Sequence, residues 1–218
     1  MGSVHHVRNP RTIRTNMRHT VLEIPHGGGE VRHVDGPAPV GAAMRWNGRS
    51  LLGAGASEIA SGEIVWSGSY AEVEGGGTFD EDPRTWGVKG WDALRARVES
   101  GDRGVVVRPH ARHVVSDVPG CRRLLESSWA TQRGVRLCYD PASMVVPGMM
   151  ARIEDHLRRM YEAIELFPME RLGMVVVAGV DANGAACDLD ACGELGRTAR
   201  ELAERWVPEG VAVARMDR

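Results

Sequence analysis

Three apolar runs in this chain stop at residues able to do chemistry. GVVVRPHARH ends at Arg108 and His110, VRLCYDPASM at Asp140 and Ser143, and LGMVVVAGVDANG at Asp181. An imidazole such as His110 titrates near neutrality and can act as a general acid or base. A carboxylate such as Asp140 can orient a substrate or ligate a metal, and a guanidinium such as Arg108 grips phosphate or carboxylate through two parallel hydrogen bonds. His110 and His113 form an H-x-x-H that, with Asp140, is a candidate for a small metal site. The same spacing suits a strand-end polar residue followed by a surface-loop histidine. Asp140 also precedes Pro141, a pairing that favours turns, so turn former and functional carboxylate stand side by side as readings.

Polar residues at strand ends become a site only if the strands run the same way, and the spacing predicts that they do. Val105 to Val107 and Met174 to Ala178 are short buried apolar runs, as expected of parallel strands covered on both faces, and Val135 to Tyr139 is a further strand between them. Val211 to Ala214 makes a fourth. Their starts near 104, 134, 173 and 210 leave roughly 30 to 40 residues between strands, enough for a right-handed crossover helix each time. Helices are expected where Trp91, Leu94 and Val98 share a face, after a cap at Ser116 or Asp117, over Ala151 to Glu165, and over Leu195 to Trp206. The first part differs. From about His19 to Gly77, short apolar runs are separated by Gly27 to Gly29, Asn47-Gly48 and Gly75 to Gly77, which predicts a β-rich, glycine-rich half with one short helix near Ser57 to Ser61. The fold class is therefore α/β, a parallel sheet or part of a barrel.

Composition narrows the function classes. The formal net charge of −2 over 218 residues supplies no broad positive field, which argues against a nucleic-acid partner. No run reaches the apolar length of a membrane span. Lys89 is the single lysine beside 26 arginines, a bias attributed to genomic base composition, so arginine counts by themselves carry little meaning. Residues 1–18 read as a disordered leader and 19–218 as one domain. Without a secretory segment the expected location is the cytoplasm, with Cys121, Cys138, Cys187 and Cys192 as reduced thiols and Cys187 and Cys192 in a loop or helix entry. His26-Gly27-Gly28-Gly29 imitates an esterase oxyanion loop, but no G-x-S-x-G elbow accompanies it. Trp91, Trp129 and Trp206 fall on helical stripes and suit the core, whereas Trp46 and Trp66 stay open between core packing and stacking on a sugar face.

RPHARHVVSDVPGCRRLLES, GVRLCYDPASMV and MVVVAGVDANG together resemble the middle strands of the xylose isomerase-like barrels, the sugar phosphate isomerase/epimerase superfamily, over about residues 85–216. The resemblance implies a partial or remodelled TIM-type barrel, since a complete one usually needs about 250 residues. Missing strands would leave sheet edges exposed and invite pairing with a second copy. It also implies a divalent metal held at the strand ends, polarising a sugar carbonyl and hydroxyl. Of the family's ligands, Asp140 is kept as a metal carboxylate, while Arg108 and Arg215 stand where glutamates are expected and Ser143 falls near a histidine position. The following strand, Val175 to Ala178, is apolar with only Asp181 beyond it. Guanidinium groups in place of ligand carboxylates repel a cation. Two functions follow. One is a sugar or sugar-phosphate isomerase/epimerase with an eroded metal site, His110 as acid/base and Asp140 orienting the substrate. The other is a non-catalytic barrel that binds an anionic small molecule through Arg108, Ser143, Asp181 and Arg215, or scaffolds a partner.

Overall fold

A computed structural model of the chain describes residues 21–25, 29–35, 44–53, 59–73, 84–101 and 103–216. The leader expected over 1–18 and most of the His26-Gly27-Gly28-Gly29 loop lie outside the described residues. Ser57 and Glu58 of the expected short helix lie outside them too, and Ile59 to Ser61 are not helical.

The strands are β1 (Val21–Ile24), β2 (Gly29–Glu30), β3 (Arg32–Asp35), β4 (Arg45–Ser50), β5 (Glu63–Trp66), β6 (Val106–Arg108), β7 (Arg136–Tyr139), β8 (Leu172–Val176), β9 (Gly179–Val180), β10 (Ala186–Cys187) and β11 (Ala212–Met216). The helices are α1 (Tyr70–Val73), α2 (Val88–Ser100), α3 (Val118–Glu126), α4 (Ser128–Gln132), α5 (Ile153–Glu162) and α6 (Gly193–Trp206). Among the described residues nine strands form one sheet in the order β2-β4-β5-β6-β7-β8-β11-β1-β3. The seven from β4 through to β1 are parallel.

The two ends of that order are neighbours in sequence. β2 pairs antiparallel with β4, β3 pairs antiparallel with β1, and only Val31 separates β2 from β3. The Val31 N–H donates to the Met44 carbonyl at 2.9 Å, so pairing with the β4 side continues across the break. A single extended stretch thus straps the open sides together, and the sheet is a nearly closed barrel of mostly parallel strands. The parallel strands are therefore not confined to the later part of the chain, and the two sides of the sheet are joined through this strap. The glycine-rich first part contributes β1, β4 and β5 to the parallel set.

Alternation along the strands divides the apolar residues into two cores. Leu22, Ile24, Trp46, Ile64, Val106, Cys138, Met174, Val176 and Ala214 face inward and fill the barrel. Val65, Val107, Leu137, Tyr139, Val175 and Val211 face outward, where Trp91, Leu94 and Val98 of α2, Leu124 and Leu125 of α3, Met160 and Tyr161 of α5, and Ala199 and Ala203 of α6 cover them. Asp117 caps α3 by accepting from the Gly120 N–H at 2.7 Å, with Pro119 in the first turn. The helix expected over Ala151 to Glu165 is shorter. Its α-helical part is Ile153–Glu162, flanked by 3-10 turns at Pro147–Arg152 and Ala163–Leu166, before Pro168 prevents continuation.

One arginine set aside on compositional grounds has a structural task. Arg171, buried just before β8, donates from Nε to the Val135 carbonyl at 2.7 Å and from Nη1 to Leu125 O at 3.3 Å and Thr131 Oγ1 at 2.5 Å. It joins the α3–α4 layer to the amino end of the sheet.

Candidate functional site

Parity places the site. Arg108 shares its face with inward Val106, Asp140 with inward Cys138, and Trp66 with inward Ile64, so all three point into the barrel near the carboxyl ends of β5, β6 and β7. Arg108 and Trp66 are direct cross-strand partners. In parallel α/β barrels this end of the strands is where ligands bind.

Arg108 and Asp140 form a buried ion pair, 3% and 0% exposed. Arg108 Nε and Nη2 donate to the same oxygen, Asp140 Oδ2, at 2.9 and 2.5 Å, while Asp140 Oδ1 accepts from the Ser143 N–H at 3.2 Å. Two tryptophans bracket the guanidinium. Its Cζ lies 5.0 Å from the Trp46 ring centroid and 4.6 Å from that of Trp66, and the two indoles meet edge to face at 5.1 Å. Arg108 Nη1, however, is buried without a hydrogen-bond partner. Among the described residues, Arg97 Nε, Arg171 Nη2 and Trp206 Nε1 share that condition, but they belong to α2, the amino end of β8 and α6. Arg108 carries its unsatisfied donor into the carboxyl end of the barrel, where an oxygen acceptor would relieve a cost of about 1–3 kcal/mol.

His110 and His113 continue the cluster beyond Arg108. Their rings lie 4.7 Å apart, and both meet Trp66 edge to face, at 5.3 and 5.5 Å. His110 is half-buried and its Nδ1 accepts from the Arg112 N–H at 3.2 Å, so that nitrogen is unprotonated in this arrangement. Burial lowers the His110 pKa and the Arg108 and Arg112 charges lower it further, against an opposing pull from Asp140. His113, expected as a surface-loop residue, is instead buried, and burial followed by the neighbouring His110 pushes its pKa down to about 3.

A stability prediction follows from the sign of these shifts. An imidazole kept neutral in the folded protein binds a proton in the unfolded chain once the pH drops below about 6.5, so stability is fully present above that value and falls as the pH falls towards 3. The expected slope from His113 alone is about 1.4 kcal/mol per pH unit. Urea unfolding at pH 7.5, 6.5 and 5.5 measures it. A His113→Gln variant should lose about one proton's worth of this dependence; an unchanged slope would mean that His113 is not held neutral.

Ser143 is buried and structural in its contacts. Its Oγ donates to the Pro109 carbonyl at 2.6 Å or the Asp140 carbonyl at 2.9 Å, tying the two strand-end loops together. Asp181 lies elsewhere. Its Oδ1 accepts from the Asn183 and Ala185 N–H groups at 2.8 and 2.9 Å and closes the β9–β10 turn. Arg215 does not join Arg108. It occupies an outward position on β11, is half exposed and lies 3.6 Å from Glu23 Oε1, while Glu23 Oε2 pairs with Arg32. The structure therefore brings together Arg108, His110, Asp140 and Ser143, and leaves Asp181 and Arg215 out of that cluster. Among the described residues no group of three or more histidines, cysteines and carboxylates could hold a metal ion. The residues present do not fit the metal implied by the resemblance, because Asp140 is already engaged with a guanidinium.

A second polar cluster was not anticipated. Glu72, buried in α1, accepts from Ser50 Oγ at 2.6 Å and the Ser69 N–H at 2.8 Å beside Gly68, whose φ of +87° and contact with Ser50 leave no room for a side chain. Ser69-Tyr70-Ala71-Glu72 carries the S-x-x-E capping pattern that would have marked it. A groove of about 560 Å³ lined by Val118, Pro119, Arg122, Arg123, Glu126, Ser127 and Leu166 shares no residue with either cluster.

Cys121 and Cys138 are free and fully buried, as expected, with burial raising the Cys138 thiol to about 12. Cys187 and Cys192 depart from the expectation of four reduced thiols, being joined as a disulfide. Among the described residues no helix is long and apolar enough to cross a membrane. No model of a known protein family and no curated protein sequence matches the chain.

Proposed function

We propose that the carboxyl end of this barrel binds a small anionic molecule, of the sugar-phosphate or carboxylate type, without a metal. The observation that supports it most is the unsatisfied Nη1 of Arg108, held by Asp140 and two indoles at an inward strand end. A guanidinium fixed in this way loses little freedom on binding, which is what makes a preorganised anion site effective. Half-buried Trp66 supplies an apolar wall of the sort that packs on a sugar face. The nearly closed, mostly parallel sheet is consistent with a remodelled TIM-type barrel related to the xylose isomerase-like proteins, and the cytoplasm remains the proposed location.

A second reading, a sugar or sugar-phosphate isomerase/epimerase, is favoured by His110. A half-buried imidazole whose pKa is lowered stays neutral at physiological pH and can accept a proton beside a cation that stabilises the resulting oxyanion. Asp140 supports that chemistry only by holding Arg108.

Calorimetric titration with inorganic phosphate and a panel of sugar phosphates, with and without a chelator, tests both readings. A saturating ligand at about 100 times its Kd adds roughly 2.7 kcal/mol, several degrees of Tm in a chain of this size. Binding is expected to survive chelation, and to be lost in the Arg108→Met/Asp140→Leu double variant, which removes the guanidinium without stranding a charge. His110→Gln is expected to keep binding and, under the second reading, to abolish turnover. Chelator-sensitive binding, or binding retained in the double variant, would overturn the anion site.

A further inference from the structure

We infer that Cys187 and Cys192 are a reversible thiol–disulfide modification site that clamps the β9–β10 hairpin to the start of α6. The inference is independent of what the barrel binds.

Placement makes the pair a clamp. Cys187 lies in β10 opposite Gly179, and Cys192 is the residue immediately before α6. Their Cα atoms are 6.4 Å apart, within the span that a disulfide bridges without moving the backbone. Cys192 also packs on Gly179: a Cβ there would lie 2.4 Å from Cys192 Cβ and 2.6 Å from its Sγ. The hairpin is short. Beyond the two strand pairs, its described internal bonds are Asp181 N–H to Ala185 O at 2.8 Å, Gly184 N–H to Asp181 O at 3.1 Å and the two bonds to Asp181 Oδ1. Two-residue strands of this kind are marginal by themselves, so a covalent tie to a 14-residue helix changes their stability. At its tip Gly184 rests against Val145, Val146 and Pro147, the segment that follows Ser143.

Chemistry makes the pair selective. Both sulfur-bearing residues are half-buried, whereas Cys121 and Cys138 are sealed in the core, with thiols that burial keeps protonated. With a low-molecular-weight disulfide as oxidant, the Cys192 thiolate attacks one sulfur and expels a small thiolate, giving a mixed disulfide. Cys187 then loses its proton and attacks Cys192 Sγ, expelling the second small thiolate. The protein gives up two electrons and two protons, and the small disulfide is reduced to two thiols.

Equilibrating the full chain in glutathione buffers of stepped redox potential, trapping thiols by alkylation and mapping them by mass, tests the step. Two thiols per chain, Cys187 and Cys192, should appear together along one two-electron titration while Cys121 and Cys138 stay unlabelled in the native protein. Hydrogen exchange over residues 179–192 should be about tenfold or more faster in the reduced form, and equally fast in a Cys187→Ser/Cys192→Ser variant under oxidising conditions. Alkylation of Cys187 and Cys192 that persists in oxidised glutathione would overturn the site. Equal hydrogen exchange in the two redox forms would overturn the clamp.

Discussion

Replacing Asp140 with alanine is expected to destabilise the protein by about 3–5 kcal/mol, because it strands the Arg108 guanidinium, 3% exposed, among Trp46, Trp66 and the inner core. For a chain of this length that is a fall in Tm on the order of 10 °C. The Ser143 N–H loses its acceptor at the same time, which loosens the loop that Ser143 Oγ ties to Pro109. Breaking a buried pair and removing it are different experiments. Arg108→Met/Asp140→Leu replaces both charges with apolar groups of similar reach and is expected to recover most of the loss, since such replacements are commonly neutral or better. The comparison matters for function. Lost activity in Asp140→Ala alone would reflect a damaged fold and would say nothing of catalysis. Thermal and urea unfolding of the two variants side by side gives the answer. An Asp140→Ala protein within about 0.5 kcal/mol of the parent would show that the pair is solvated and contributes as little as a surface ion pair does.

The strand ends were legible because two periodicities coincided. The short runs Val105 to Val107, Val135 to Tyr139 and Met174 to Ala178 suit parallel strands buried on both sides, and in the structure parity aims Arg108 and Asp140 inward. Arg215 shows the limit of that argument. It was assigned by alignment to a family pattern, but in β11 it has the opposite parity from inward Ala214, and its side chain leaves the barrel for Glu23. The closure at Val31 was illegible for another reason. β2 and β3 are too short to carry a periodicity, and what defines them is long-range pairing to β4 and β1, which propensity does not encode. The ion pair was also missed, because Arg108 and Asp140 are 32 residues apart and each was weighed alone. Trp66 and Trp46 could not be assigned without knowing which strands neighbour β6.

Gly196 is the position where helix propensity and packing give opposite answers, and packing is expected to win. It sits inside α6, where alanine would ordinarily gain up to about 1 kcal/mol over glycine. A Cβ at Gly196 would lie 1.9 Å from the Leu189 carbonyl oxygen, 2.8 Å from its carbon and 3.1 Å from its Cα. All three are backbone atoms, so no rotamer change relieves the contact. Either α6 lifts from the 188–191 turn or that turn moves, and the turn is held by Asp188 Oδ1, which accepts from the Asp190 and Ala191 N–H groups. Gly196→Ala is therefore expected to cost about 2–3 kcal/mol, in the range of other overpacked sites, with the loss appearing as a lower urea midpoint at unchanged m-value. Ala199 and Ala203, one and two turns further on, face the outer core, so a lifted helix also opens the seal over Val175 and Val211. A Gly196→Ala protein that is more stable than its parent would mean that α6 does not approach Leu189 this closely, and the seat of the helix beside the Cys187–Cys192 clamp would have to be redrawn.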